Sequence, residues 1–186
     1  MNRNQSNDRY NALSIAAHWL TLALLVAVYA LIELRGIYPK GTSEYDAMKM
    51  WHFILGLTVL GVVAARLVLR LMFREPPITP PPPAMQMLLA KAMYLALYAF
   101  LIVMPVLGWL TLSAEGQVIP FFGLELPALM GPDKGWAGSL EDLHETIGTI
   151  GYYLIGLHAA AALYHHYLRR DNTLRRMLPW RQSPKS

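Results

Sequence analysis

The 186-residue chain contains no cysteine. Without thiols it can form no disulfide bridge, thiolate zinc site or iron–sulfur cluster, and it cannot attach haem covalently. Charge is scarce as well, since 15% of the residues are charged and 55% are hydrophobic, whereas soluble domains carry about 25% charge. Aromatic residues make up 11% of the chain, which excludes a disordered protein. The composition is therefore that of a membrane protein.

Long apolar runs are the main feature that the sequence does have. Four of them reach the roughly 20 residues that a helix needs to cross a bilayer. Because a backbone in lipid must satisfy its own hydrogen bonds, we predict that all four are helical. The first run is too long for a signal peptide and no cleavage site follows it, so we expect it to be retained. The predicted helices cover residues 13–34, 47–72, 85–112 and 140–168 of a single domain, 1–186.

The connections between the runs carry the helix-breaking residues. Residues 76–84 are rich in proline and favour a stiff polyproline linker, with a proline-based ligand for a soluble partner as the alternative. Residues 116–134 are expected to form an irregular loop. Ser139, followed three residues later by Asp142, predicts the start of the fourth helix through a capping box. Together these features predict an all-α integral membrane four-helix bundle.

The basic residues predict the orientation of this bundle. Most of them precede the first run, flank the second connection or follow the fourth run. They are Arg3, Arg9, Arg66, Arg70, Arg74, Lys91, Arg169, Arg170, Arg175, Arg176, Arg181 and Lys185. By the positive-inside rule, both termini are expected to be cytoplasmic. The net charge of +4 then reflects membrane orientation, and we expect no nucleic-acid partner.

Four histidines lie inside the predicted helices: His18, His52, His144 and His158. Ionisable residues in membrane helices are costly and usually functional, although a single histidine can simply be hydrogen-bonded within the bundle. His144 and His158 are 14 residues apart, close to four helical turns, so they share one face of the fourth helix. Their depths pair His158 with His18 at the inner level, and His144 with His52 at the outer level.

Two histidine pairs at two depths suit two b-type haems. A structural zinc site generally needs four ligands, and a copper or proton pathway would not require the four-turn spacing. Gly148 and Gly151 on the histidine face, and Gly56 one turn from His52, would leave room for a bulky group, although close helix packing explains glycines there equally well. With both axial positions occupied, each iron would exchange single electrons rather than bind oxygen.

Several sequence runs spread over the chain are typical of one family. They are residues 17–19 (AHW), 33–36 (ELRG) leading to Tyr38-Pro39, 156–163 (GLHAAAAL), 165–167 (HHY) and 171–174 (DNTL). The chain thereby resembles the bacterial cytochrome b561 family, di-haem proteins of the inner membrane, and particularly its superoxide oxidase type. The resemblance implies haem ligation by the four histidines, oxidation of superoxide at the periplasmic face and reduction of ubiquinone.

Three further residues at the inner level are candidates for contacts with haem propionates or a quinone. Arg66 is 14 residues after His52 and Arg70 one turn later, so both follow the histidine face of the second helix. Each can serve in this way or only anchor the helix at the membrane surface. His165, seven residues after His158, could donate a proton to a quinone, or be an interfacial histidine without a special task.

The outer side gives mixed support for superoxide. Acidic residues outnumber basic ones there, so the average field repels an anion. Arg35, Lys40 and Lys49 flank the first outer connection near His52 and could form a local positive funnel. The charges therefore permit superoxide oxidation, which itself is implied by the resemblance.

Other functions stay open at this point. The chain could be a quinol-linked reductase with another substrate, or a membrane-anchor subunit that carries electrons for a partner dehydrogenase or hydrogenase. A histidine-based metal or proton transporter without haem is a third alternative. The sequence assigns no catalytic residue. The expected partners are ubiquinone, superoxide and the surrounding lipid, and no protein partner is identified.

Overall fold

The computed structural model describes residues 8–179, so Arg3, Arg181 and Lys185 lie outside the described residues. The described chain is dominated by helices α1 (Ala12–Leu34), α2 (Ser43–Met72), α3 (Ala84–Ala114) and α4 (Lys134–Tyr164). A 3-10 turn, Arg35–Ile37, follows α1, and a π-helical turn, His165–Arg169, continues α4. All four helices are long and apolar enough to cross a membrane, which confirms the predicted membrane helix bundle. The side of the membrane that each chain terminus faces stays a prediction.

The fourth helix begins earlier than the sequence predicted. The Asp133 carboxylate accepts hydrogen bonds from the backbone N–H groups of Gly135 and Trp136, at 2.9 and 3.2 Å. An aspartate in this position satisfies the first amides of a helix. Ser139 instead lies inside α4, where its hydroxyl donates to the Gly135 carbonyl. The predicted start at residue 140 is therefore wrong, because Asp133 caps the helix before the Ser139 box is reached.

The second helix also starts before its predicted boundary at residue 47. Thr42 precedes α2, and its hydroxyl oxygen accepts a hydrogen bond from the backbone N–H of Tyr45 at 3.4 Å. Glu44 and Asp46 then occupy the first turn, where negative charge interacts favourably with the helix dipole. The polar cap thus extends the helix beyond the apolar run that the hydropathy pattern detects.

The loop that was expected to be irregular contains a small antiparallel β-hairpin. Its strands are β1 (Ile119–Phe121) and β2 (Leu124–Leu126). The turn between them places Gly123 at φ 84°, a backbone region that glycine enters without steric cost. Ile119 is buried against Leu57 of α2 and Leu112 of α3. The hairpin therefore covers one end of the bundle, which we call the hairpin end.

The helices pack in chain order, α1 on α2, α2 on α3 and α3 on α4. Within residues 8–179, direct packing of α1 against α4 is sparse. Two side chains bridge this seam. The Tyr29 hydroxyl donates to the Gly148 carbonyl, and the Tyr152 hydroxyl donates to the Glu33 carboxylate, each at 2.7 Å. The seam between α1 and α4 is thus joined by side chains rather than by close helix contact.

The start of α1 and the end of α4 meet at the opposite end of the bundle, which we call the terminal end. The backbone N–H of Tyr10 donates to the Arg176 carbonyl at 3.2 Å, and the Trp19 indole donates to the Met177 carbonyl at 2.7 Å. Asn172 exchanges two hydrogen bonds with the backbone of Thr79, at 2.8 and 3.1 Å. The proline-rich segment is non-helical as predicted, and its first half is docked on the C-terminal segment.

Asp171 is the most deeply buried charge of the terminal end, with 1% of its surface exposed. Its carboxylate accepts hydrogen bonds from Nδ1 of His165 at 2.5 Å and from the backbone N–H of Thr173 at 2.9 Å. Burial alone would raise the pKa of this carboxyl, but the hydrogen bonds from His165 and Thr173 outweigh it and lower the pKa below its usual value. The ionised carboxylate therefore stabilises the terminal end.

We predict that Asp171→Asn lowers the free energy of unfolding in detergent by about 1–3 kcal/mol at neutral pH, because it removes a buried charge-assisted hydrogen bond. The lowered pKa means that wild type has this contribution in full well above the ordinary aspartate pKa of about 3.9. Wild type loses it as the pH falls through the lowered value, so the two proteins converge in acid. Unfolding curves at several pH values test this. Asp142→Asn, at an exposed carboxylate of α4, is the control; equal stability of Asp171→Asn and wild type at pH 7 would refute the prediction.

Candidate functional site

The structure brings the four membrane histidines together in two pairs. The rings of His18 on α1 and His158 on α4 have centres 6.3 Å apart and planes at 65°. The rings of His52 on α2 and His144 on α4 have centres 6.2 Å apart and planes at 76°. These are the same pairs that spacing and depth predicted. We call the first the terminal pair and the second the hairpin pair.

The ring separation in both pairs suits one metal ion between two imidazoles. A metal–imidazole bond is about 2.0 Å and the ring centre lies roughly 1.1 Å farther, so two opposed rings have centres about 6 Å apart. Within residues 8–179, no group of three or more metal-ligating side chains is present. The protein thus offers two imidazoles per site and leaves the other ligand positions to a non-protein group. This donor set fits a haem with two axial histidines.

A mostly apolar cleft adjoins the hairpin pair. Its lining residues come from α2, α3 and α4 and are His52, Phe53, Gly56, Leu57, Pro105, Gly108, Trp109, Leu112 and His144. An apolar wall keeps water away from a bound group and so lowers the local dielectric. The β-hairpin lies against this cleft, because Leu57 and Leu112, which line it, also contact Ile119 of β1.

Hydrogen bonds orient the hairpin pair. The Nδ1 of His52 lies 3.0 Å from the Val28 carbonyl and donates to it, which leaves Nε2 as the metal-binding nitrogen. The Nδ1 of His144 is buried beside the backbone of Met104, and no hydrogen bond of normal geometry reaches it within the described chain. The hydrogen bond of His52 thus leaves its Nε2 available for a ligand that the described chain does not provide.

Arg66 is the charged residue that lies beside the terminal pair. Its guanidinium donates to the Thr21 hydroxyl at 3.2 Å, and a second nitrogen lies 3.4 Å from Nδ1 of His18. Arg70 is instead engaged elsewhere. It pairs with Glu75 at 2.5 Å and lies 3.9 Å above the centre of the Tyr94 ring. Of the two arginines that the sequence proposed for haem or quinone contacts, the structure brings Arg66 to the histidines.

His165 lies beyond the terminal pair, in the π-helical turn that continues α4. Its Nδ1 donates to Asp171, so Nε2 carries the lone pair of the neutral ring. The side chain of His165 has 17% of its surface exposed. The histidine is thus fixed in orientation but open on one side, as a group that exchanges protons with a bound molecule needs to be.

The basic residues of the hairpin end differ in their placement. Lys49 lies above the Phe53 ring at 5.9 Å, one turn before His52, and Arg35 lies above the Tyr45 ring at 5.8 Å. Lys40 is exposed, and no contact in the described chain links it to the cleft. The funnel of Arg35, Lys40 and Lys49 therefore stays a prediction, and of the three Lys49 lies beside a ring that lines the cleft.

Comparison with known proteins agrees with a haem site. A family model described as prokaryotic cytochrome b561 matches residues 9–180. The chain belongs to the prokaryotic cytochrome b561 family.

The similar proteins cover nearly the whole chain. Cytochrome b561 homolog 1 of Escherichia coli K12 is 38% identical over 175 residues, 94% of this chain and 99% of that protein. The probable superoxide oxidase CybB of Yersinia pestis is 37% identical over 173 residues, 93% of this chain and 97% of that protein. Cytochrome b561 homolog 2 of Escherichia coli K12 is 30% identical over 179 residues, 92% of each chain. Cytochrome b561 proteins bind haem b and carry electrons in the membrane, so the predicted family and cofactor type are confirmed.

Helix α3 contributes to the b561 site although it carries no histidine. A Cβ atom on Gly108 would lie 3.3 Å from Cε1 of His144, so glycine lets the ring lie close against the α3 backbone. Pro105 lines the same cleft. Sequence analysis overlooked this pair because it searched for ligands. A glycine three residues after a proline inside an apolar helix was the available signal.

The glycines of α4 serve a different purpose from the one that favoured a haem. A Cβ atom on Gly151 would collide with the Phe100 ring and the Tyr29 hydroxyl, and one on Gly148 would lie 3.4 Å from Cε of Met104. Protein side chains therefore fill this face between the two pairs, and close packing explains both glycines. At Gly56 nothing lies within 4 Å of an added Cβ, so the expected space exists there.

We predict that Gly151→Ala destabilises this cytochrome b561 in detergent by about 1–3 kcal/mol, because the added methyl group displaces Phe100 and Tyr29 in a packed interior. Gly156→Ala is the matched control on the same helix, where nothing lies within 4 Å of the added carbon, and alanine there should leave stability unchanged or raise it by up to about 1 kcal/mol. Thermal unfolding measures both variants. Tolerance of Gly151→Ala would show that the interface adapts freely.

Proposed function

We propose that the chain holds one haem b between His18 and His158 and another between His52 and His144, and that it transfers electrons from superoxide at the hairpin end to ubiquinone at the terminal end. The observation that carries this proposal is the presence of two opposed imidazole pairs at two depths of one bundle. When bound, each haem supplies a reversible one-electron iron couple.

Helix geometry supports electron transfer across the membrane. His144 and His158 are 14 residues apart on α4, which corresponds to about 21 Å along the helix axis. The hydrocarbon core of a bilayer is about 30 Å thick. The two pairs therefore lie in different halves of the membrane, so an electron can cross while the donor and the acceptor stay on their own sides.

The charges near the hairpin pair support an anionic donor. Lys49 lies above the ring of Phe53, which lines the cleft, and Arg35 lies above the ring of Tyr45. Neither forms an ion pair within residues 8–179, so their charges are available there to attract superoxide. Glu33, by contrast, accepts a hydrogen bond from Tyr152 on the α1–α4 seam. The relative from Yersinia pestis is named a probable superoxide oxidase, which favours the same donor.

The terminal pair has a proton-exchanging group nearby, as quinone reduction requires. Two superoxide anions give up one electron each and leave as dioxygen, while ubiquinone takes up two electrons and two protons to become ubiquinol. His165, held by Asp171, can pass protons through its free ring nitrogen. By the positive-inside rule these protons come from the cytoplasm.

We predict that His158→Ala leaves one b-type haem per chain, because it removes one axial ligand of the terminal pair only. The double variant His18→Ala/His158→Ala should retain the same single haem, since both changes affect one site. His166→Ala is the control, because this histidine lies in the turn that follows α4, about two turns beyond His158, and its removal should leave haem content at two. Pyridine haemochrome assays of purified protein give the stoichiometry. Loss of one further haem in the double variant would disprove the pairing.

We predict that superoxide reduces the haems of the purified protein in anaerobic stopped-flow mixing, and that Lys49→Gln or Arg35→Gln slows this reduction about two- to tenfold at low salt. The difference should shrink as the ionic strength rises, because salt screens the attraction. Lys134→Gln, which removes the same charge at the start of α4, should have little effect. Added ubiquinone should consume two superoxide anions per ubiquinol formed.

Two results of this experiment count against the proposal. Reduction no faster than spontaneous dismutation of superoxide would remove superoxide as the donor. Reduction by ubiquinol, with no ubiquinol formed from superoxide, would instead identify a quinol-linked reductase with the opposite direction of flow.

A further inference from the structure

We propose that Arg66 sets the direction of electron flow by giving the haem at the terminal pair a higher reduction potential than the haem at the hairpin pair. This inference rests on the proposed function, since it assumes that both histidine pairs hold haem. It adds to the contacts that the sequence predicts for Arg66 a role in setting a reduction potential.

Arg66 is a cation within a membrane-spanning helix, six residues before the end of α2 at Met72. Its guanidinium is fixed by the hydroxyl of Thr21, which is itself 3% exposed, and lies 5.6 Å from the centre of the Tyr98 ring. A charge in this position is costly. Its position beside a histidine pair points to a functional purpose.

No carboxylate pairs with Arg66 within the described chain, where the ion pairs are Arg70–Glu75 and His165–Asp171. The full positive charge therefore acts on its surroundings, and it acts strongly because the local dielectric is low. Reduction lowers the charge of the iron by one, so a neighbouring cation favours the reduced form. If a haem propionate neutralises Arg66, removing Arg66 still lowers the reduction potential, because the unpaired propionate charge that remains favours oxidised iron.

The contact between Arg66 and His18 is electrostatic once a metal is bound. Ligation through Nε2 places the ring proton on Nδ1, which then cannot accept a hydrogen bond. Thr21 remains as the acceptor for the guanidinium and holds it next to the ring. The result is a positive charge beside an axial ligand, which makes that ligand a weaker electron donor to the iron.

The hairpin pair has the opposite surroundings. His52 donates its Nδ1 proton to the Val28 carbonyl at 3.0 Å, which makes the imidazole a more basic ligand and favours oxidised iron. Arg35 and Lys49 are the cations on this side; both are half-buried, so solvent weakens their field, and within residues 8–179 neither forms a hydrogen bond with His52 or His144 as Arg66 does with His18. Electrons that enter at the hairpin pair therefore move energetically downhill to the terminal pair.

Spectroscopic redox titration of the purified di-haem protein tests this inference without superoxide or quinone. In Arg66→Gln we expect the equilibrium constant for placing an electron on the terminal rather than the hairpin haem to fall by about tenfold or more, which is about 59 mV for one electron. Arg66→Lys should restore most of the difference because it keeps the charge. Arg70→Gln is the matched control, with the same charge change one turn away, and should shift the constant by less than about twofold.

A background variant, His144→Ala, assigns the shift, because it leaves only the haem at the terminal pair. Arg66→Gln should lower the potential of that remaining haem. Unchanged potentials in Arg66→Gln with both haems bound would overturn the inference, as would a shift confined to the hairpin haem.

If Arg66→Gln fails to bind haem, Thr21→Val takes its place. This change removes the hydroxyl acceptor that holds Arg66 and should lower the potential of the haem at the terminal pair. An unchanged potential in Thr21→Val would overturn the inference. Absence of haem from the wild-type protein would count against the proposed function instead.

Discussion

The cost of placing an ionisable side chain in lipid is the constraint on which the structure of this protein depends. Four imidazoles and the guanidinium of Arg66 lie well inside the membrane helices, and each must find a partner there. Backbone and hydroxyl groups satisfy part of the need, as Val28 does for His52 and Thr21 for Arg66. The rest is left for a bound metal group. The positions of the histidines and of Arg66 therefore depend on these polar partners as well as on the apolar core around Val59, Val63, Phe100 and Leu101.

The sequence predicted the membrane helices and the histidine pairs because both follow from simple periodicity. A hydropathy run identifies a span, and 14 residues return a side chain to the same face of a helix. It failed where a single polar residue decided a boundary. Asp133 starts α4 well before the apolar run, and neither hydropathy nor the competing Ser139 signal shows that this cap takes precedence.

The details of the site depended on tertiary contacts that periodicity does not contain. Arg66 and Arg70 are equivalent by spacing, yet Glu75 and Tyr94 hold one of them while Thr21 holds the other near His18. Gly108 was not predicted, because glycine has no side chain that could bind a metal. The sequence left two interpretations of Gly151 open, space for a cofactor and close helix packing, and the contacts with Phe100 and Tyr29 confirm the second. A glycine in the sequence indicates only that some group can approach the backbone closely. Which group does so is decided by the fold.

The terminal end ties three separate parts of the chain together. Residues 172–177 form hydrogen bonds with Tyr10, Trp19 and Thr79. The start of α1 and the linker between α2 and α3 are therefore both fixed to the segment that follows α4. Because direct packing of α1 against α4 is sparse within residues 8–179, moving these two helices apart in the plane of the bilayer would also require these hydrogen bonds to break.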